Sequence, residues 1–234
     1  EVEETVSITG GYFSAKPDST YLAKNYYVQP SDQEGYSYMV SNSAVAQIGA
    51  DKYGTLAEAV AAAENNATIK LLKDTSLDGI LTFNGEKAVT LDLNGKTITS
   101  DYAINIEEGA KVTIQGSTGT IAMNNDARLV VTGDTAYENS GVHLEGNAVP
   151  STLNLKSGTI TSSNGATIYL KGNGATLNMT GGTVRNTFKN SEKDGNFAIT
   201  GDGTRNGTTD NGGIIINISG GTVESVQDCA LYLP

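Results

Sequence analysis

The chain is expected to be all-β, a parallel β-helix solenoid with one short capping α-helix. Three observations predict this: a recurring eight-residue phrase, the spacing of its copies, and a further short strand after most of them. The phrase is plainest as Ile216-Asn217-Ile218-Ser219-Gly220-Gly221-Thr222-Val223. Its grammar is apolar, polar, apolar, polar, small or Gly, Gly or Lys, Thr or Tyr, apolar. Copies stand at Val6 to Phe13, Leu91 to Ile98, Leu153 to Ile160 and Leu177 to Val184, with another at Val112 to Ile121 that carries the extra residues Ser117 and Thr118.

Each phrase predicts two short strands around a corner. Alternation gives a period of 2, so Leu153 and Leu155 point one way and Asn154 the other, and the Gly pair permits a sharp bend before the strand resumes. A third strand is predicted at Ala103 to Glu107, Thr167 to Leu170, Phe197 to Thr200 and Ala230 to Leu233. Three strands and three corners make one coil.

The distances between copies suit that reading. From Leu91 to Val112 is 21 residues and from Leu153 to Leu177 is 24, one coil each, whereas the intervals of 41 and 39 residues that begin at Val112 and Leu177 mean a coil plus an excursion. Such periods indicate stacked repeats that share one apolar core. An antiparallel sandwich would use Asn94-Gly95, Asn164-Gly165 and Asn206-Gly207 as hairpin turns, but it does not explain why one phrase returns in the same order.

Composition fits a narrow solenoid and removes some function classes. Hydrophobic residues are 38% of 234, with 28 Gly and no Trp. The net charge of −11 argues against nucleic acid or an anionic membrane surface as partner, since both want basic patches. No apolar run approaches the ~20 residues that span a bilayer. The single cysteine, Cys229, excludes an internal disulfide framework and is expected to be a buried, inert thiol. The chain opens on Glu1 without Met or a signal-peptide pattern, as expected of a piece of something longer.

Three regions follow along the chain. Residues 1–43 carry a phrase and then six of the eleven tyrosines: Tyr12, Tyr21, Tyr26, Tyr27, Tyr36 and Tyr38. Asn25 to Gln29 and Tyr36 to Val40 are expected as strands around a polar turn, closing a coil and its tail. Residues 44–67 restart the organisation with a strand at Ala44 to Ile48, a turn at Gly49 to Gly54, and a helix at Thr55 to Glu64. Thr55 and Glu58 make a T-x-x-E capping box, and Leu56, Ala59, Val60 and Ala63 share one face, so this helix is expected to cover the first coil's open edge. Residues 68–234 are expected to be coils, with an outward polar ladder of Lys70, Asp92, Thr113, Asn154, Asn178 and Asn217. The chain stops at Pro234 straight after a third strand, without a cap.

The runs Val45-Ala46-Gln47-Ile48-Gly49, Thr55-Leu56-Ala57-Glu58-Ala59-Val60, Ile69-Lys70-Leu71-Leu72-Lys73-Asp74 and Leu91-Asp92-Leu93-Asn94-Gly95-Lys96-Thr97-Ile98 resemble the opening of β-helix modules in large surface proteins of Gram-positive bacteria, many from the gut. Ser7-Ile8-Thr9-Gly10-Gly11-Tyr12-Phe13, with the Tyr-rich tail, resembles the close of such a module. The resemblance implies a right-handed, pectate-lyase-like fold and an extracellular, wall-associated setting, and it implies no activity. In that family the closing segment comes last; here it comes first. The C-terminal coil should then expose an edge whose natural next strand is Val6 to Phe13, from its own chain or a neighbour, the latter giving head-to-tail self-association.

Catalysis was weighed on the residues themselves. A carbohydrate-active enzyme, lyase or glycoside hydrolase, is the alternative reading, with catalytic residues on excursions at Ala127 to Pro150 and Arg185 to Gly213. Glycoside hydrolysis needs two carboxyls across a groove. Asp101, Glu107, Glu108, Asp126, Asp134 and Asp202 are candidates, yet they form no close Asp constellation in sequence and no Gly-His-Gly motif accompanies them. His143, the only histidine, is expected on an outer strand face, and Arg128, Arg185 and Arg205 follow no lyase pattern. No catalytic residue and no cofactor is assigned. Asp202, Asn206 and Asp210 lie in a Gly-rich polar stretch that lacks calcium-loop spacing and is expected to be a loop. The ligand-binding candidates are Tyr169 and Tyr232, outward on the third strand two coils apart with Ala198 between them. Roughly 10 Å would then separate two rings able to seat alternate sugars. The expected function is a non-catalytic stalk or adhesin-like display surface, with glycans or host and cell-surface proteins as partners.

Overall fold

Among the described residues, runs of alternating apolar and polar residues, broken by Gly, Asn and Asp, form 21 strands, one α-helix and one 3-10 turn. The computed structural model describes residues 6–133, 149–189, 195–202 and 213–233. The N-terminal strands β1 (Gly11–Phe13), β2 (Tyr27–Pro30) and β3 (Tyr38–Ser41) form a small antiparallel sheet in the order β1-β3-β2. Strands β4 (Ala46–Ile48) and β5 (Asp51–Tyr53) form a hairpin that leads into helix α1 (Leu56–Ala62).

From there the chain repeats a set of three strands, each set being termed a round. The first round is β6 (Ala67–Leu71), β7 (Thr75–Ser76) and β8 (Leu81–Phe83), and the second is β9 (Ala88–Asp92), β10 (Thr97–Ser100) and β11 (Ile104–Ile106). The third is β12 (Lys111–Gln115), β13 (Thr120–Met123) and β14 (Leu129–Thr132), and the fourth is β15 (Thr152–Leu155), β16 (Thr159–Ser162) and β17 (Ile168–Lys171). In the fifth the first two strands run together as β18 (Thr176–Asn186), followed by β19 (Ile199–Gly201); the sixth repeats this with β20 (Ile215–Ser225) and β21 (Leu231–Tyr232).

Every strand in these rounds pairs in parallel with its counterpart in the next. The first strands stack as β6-β9-β12-β15-β18-β20, and the third strands as β8-β11-β14-β17-β19-β21. The second strands stack from β7 to β16 and join the second half of β18. The architecture is therefore all-β and built on parallel sheets, and the antiparallel sandwich does not form. Asn94-Gly95 shows why hairpin-like residues do not imply hairpins. Both have positive φ, 48° and 72°, and Lys96 N donates to Leu93 O at 2.8 Å. The turn closes tightly, but the strands it joins pair with other rounds instead of with each other.

Register turns the alternation into aliphatic columns. Ile69, Leu91, Ile114, Leu155, Met179 and Ile218 stack along the first strands, while Ile98, Ile121, Ile160, Val184 and Val223 stack along the second. Leu81, Ile104, Leu129, Ile168, Ile199 and Leu231 stack along the third. Members inside the stack are buried, whereas Ile218 is 44% and Leu231 42% exposed, on strands that pair on one side only among the described residues. At ~25 cal/mol per Å² of apolar surface, each covered Leu or Ile contributes about 1.5–3 kcal/mol.

The other end is closed by two devices. Helix α1 carries the predicted capping box, with Glu58 N donating to Thr55 Oγ1 at 3.1 Å and Thr55 N donating to Glu58 Oε2 at 3.2 Å. Its Leu56, Ala59 and Val60 are buried over the end of the core. A helix has no free backbone groups to offer a sheet, and β4 supplies them instead by pairing antiparallel with β6. The expectation that the helix itself covers the edge is corrected accordingly, and Asp51–Tyr53, expected as turn, is a strand.

Three further expectations change. The polar ladder has a different register: Thr68, Thr90, Thr113, Asn154, Asn178 and Asn217 align, whereas Lys70 and Asp92 sit two residues further on and align with Gln115. The supposed excursion from Ala127 begins later, because Leu129–Thr132 is the third strand of its round. Val6 to Phe13 does not close the far end of its own chain; Ile8 bridges Leu22 and Gly11–Phe13 pairs with β3.

Candidate functional site

The outward column of the third-strand stack is Thr82, Asn105, Val130, Tyr169, Thr200 and Tyr232. Tyr169 and Tyr232 thus share one face two rounds apart, as expected, but Thr200 lies between them. Ala198 is fully buried one residue before the strand, so the expected spacer was out of phase with the pleat. Thr200 is itself largely covered and donates through Oγ1 to Tyr232 O at 2.8 Å.

The two rings have different settings. The Arg128 guanidinium carbon lies 5.8 Å from the centroid of the Tyr169 ring, within cation–π range. The Tyr169 hydroxyl donates to Asp202 Oδ1, and Asp202 Oδ2 accepts from Gly172 N at 2.9 Å. Burial first, then the hydrogen bond to Asp202 and its charge, push the Tyr169 hydroxyl up to about 12, against an opposing pull from Arg128. Tyr232 is stacked on Phe197 with centroids 4.5 Å apart and planes 15° apart, and remains 43% exposed. Phe197 was not singled out in the sequence; its stacking depends on the bend before β19.

The other candidates lie apart. Asp101 and Asp126 stand in turns before third strands, and Glu107, Glu108 and Asp202 follow third strands. They are divided between opposite edges of that stack, and both oxygens of Asp202 are occupied. Arg185 belongs to the second strands, where its Nε lies 3.5 Å from Glu224 Oε2. His143, Asp134, Arg205, Asn206 and Asp210 lie outside the described residues. Among the described residues no three His, Cys, Asp or Glu side chains are grouped to hold a metal ion. Cys229 is exposed, not buried.

A second concavity is a cleft of ≈ 750 Å³ between the N-terminal tail and α1, lined by residues that include Lys16, Asp18, Leu22, Tyr26, Tyr27 and Glu58. Glu58 already serves the capping box, and the Asp18 carboxylate accepts from Thr20 N at 2.8 Å. Beside the same sheet, Lys73 Nζ donates to Gln29 Oε1, and burial pulls that ammonium below its ordinary range. The Lys73–Gln29 bond fastens the tail to the first round.

Comparison with protein-family models, with curated proteins and with solved structures finds no match. The chemistry of the third-strand face must therefore be read from its side chains. It offers two tyrosine rings, one oriented by Arg128 and Asp202 and one by Phe197, on a rigid strand stack. Aromatic planes of this kind pack against the C–H faces of sugar rings, and hydroxyl, guanidinium and carboxylate groups beside them hydrogen-bond to the sugar's hydroxyls.

Proposed function

We propose that this chain is a right-handed parallel β-helix module of a bacterial surface protein, outside the cell or in its wall, where it serves as a non-catalytic stalk or adhesin-like display surface. The single observation that carries this reading is the register: three parallel stacks repeat through the described rounds, and the outward Asn residues of the first-strand stack bond one another. Asn217 Nδ2 donates to Asn178 Oδ1 at 2.8 Å, and Asn178 Nδ2 donates to Asn154 Oδ1 at 2.9 Å. Such a surface is stiff and chemically quiet, which suits spacing and display. The surface-protein setting is supported by the resemblance of the opening and closing segments alone.

The face of Tyr169 and Tyr232 is the proposed glycan-contact surface. A glycan array probed with the intact chain tests it. Binding that disappears when Tyr169→Ala and Tyr232→Ala are combined supports the surface, and binding unchanged by that pair removes it. Polysaccharide cleavage assays test the non-catalytic reading. Turnover that is abolished by Asp101→Asn or Asp126→Asn would replace it with an enzyme.

A further inference from the structure

The two ends of this molecule are complementary in sequence, corner geometry and hydrogen-bonding phase. The open end is β20, which among the described residues pairs with β18 alone. Ile216 and Val223 are incompletely covered and Ile218 is 44% exposed, although the equivalent residues one round earlier, Leu177, Met179 and Val184, are fully buried. The phrase at Val6 to Phe13 shows the same lack from the opposite side, with Val6 64% exposed.

That N-terminal phrase already has the conformation of a coil corner. Its sixth residue, Gly11, has φ +120°, against +90°, +79° and +96° for Gly158, Gly182 and Gly221 at the same place in their phrases. It is also capped on one edge only. Ile8 N donates to Tyr21 O at 2.7 Å and Ile8 O accepts from Ala23 N at 3.0 Å, while Gly11–Phe13 is the outer strand of its sheet and pairs with β3 alone. Backbone groups alternate between the two edges of a strand, so Ser7 and Thr9 direct theirs to the opposite edge. There they make no backbone hydrogen bond among the described residues.

The phase at the other end matches. Ile215 N donates to Ala175 O at 2.9 Å, so Ile215 and Asn217 face β18, and Ile216 and Ile218 direct their N–H and C=O groups to the open edge. With Ile218 aligned on Ile8, its N–H meets Ser7 O and its C=O meets Thr9 N–H, the relation that Ile215 and Ala175 show one round below. Ser7 would then continue the Thr–Asn ladder above Asn217, and Val6, Ile8 and Phe13 would continue the aliphatic columns.

We infer that β20 of one molecule is the docking edge for Val6 to Phe13 of a second copy, added in parallel. The hairpin of β2 and β3 lies on the far side of the incoming phrase and leaves this edge free. The tail that carries the phrase lies beside α1 and the first round, at the opposite end of the stack from β20, so the contact is heterologous and repeats into head-to-tail chains. It does not depend on glycan binding.

Sedimentation velocity of the intact chain over a range of concentrations tests this. Elongated species that grow with concentration are expected. Thr9→Pro, which removes the N–H aimed at the neighbour, and Ile218→Lys, which charges the open end, should each weaken association at least about tenfold. Neither change touches a covered core position, and circular dichroism confirms that the monomer is retained. Ser7→Cys combined with Asn217→Cys, in a Cys229→Ser background, should give a ladder of disulfide-linked oligomers that neither single cysteine gives. A chain that stays monomeric at all concentrations overturns the inference, as does association that survives both edge changes or yields no linked ladder.

Discussion

The Tyr169 hydroxyl donates to Asp202 across the gap between two rounds, and the other oxygen of that carboxylate accepts from Gly172 N at 2.9 Å. One contact thus fixes a ring on the third-strand face, pins the chain as it leaves β19, and removes Asp202 from the free acids. It also has a consequence for pH. Because the folded pKa of Tyr169 is raised to about 12 from 10.0, its contribution to stability is fully present below pH 10. It is lost as pH rises through about 12.

Spectrophotometric titration of the phenolates should therefore show a late-ionising tyrosine that disappears in Tyr169→Phe. Asp202→Asn should return the late ionisation toward the ordinary range, since it removes both the carboxylate acceptor and its charge. An unchanged late component in Tyr169→Phe would assign it elsewhere.

The polar ladder gives a second expectation. Asn178→Ala removes two side-chain hydrogen bonds, from Asn217 and to Asn154, on a half-buried strand. At about 0.5–1.5 kcal/mol per bond the loss should be roughly 1–2 kcal/mol, read as a lower urea midpoint.

Asn186 should matter more. It is fully buried at the end of β18, where Nδ2 donates to Gly165 O and, at 3.2 Å, to Ser162 Oγ, while Oδ1 accepts from Phe188 N at 3.0 Å. Asn186→Leu keeps the branched shape but leaves a part-buried carbonyl and amide unpaired, at a cost of about 2–4 kcal/mol by the same measurement. A loss no greater than that of Asn178→Ala would show that water reaches this corner.

The cost of truncation should also depend on position along one column. Leu155 and Ile218 occupy the same column, yet Leu155 is fully buried and Ile218 is 44% exposed. Leu155→Ala is expected to cost about 2–5 kcal/mol, and Ile218→Ala under ~1.5 kcal/mol. Equal losses would mean that the last round is already covered in solution, as it would be within a head-to-tail chain.

The sequence by itself determined the strands, the corners, the capping box and the inward columns, because each of these is a local matter. A pleat fixes which residues share a face, a Gly pair fixes where a bend is cheap, and Thr55 finds Glu58 within one helical turn. Only the tertiary structure decided register. Lys70 and Asp92 fell out of the ladder with Thr113, and Thr200 replaced Ala198 between the tyrosines, because alternation repeats every two residues and cannot tell which of two equivalent slots faces the next round. The partners of Tyr169 were likewise illegible, since Arg128 and Asp202 stand 41 and 33 residues from it in sequence and meet it only through stacking. The end that remains open is set by where successive rounds stop covering one another, which no single phrase encodes.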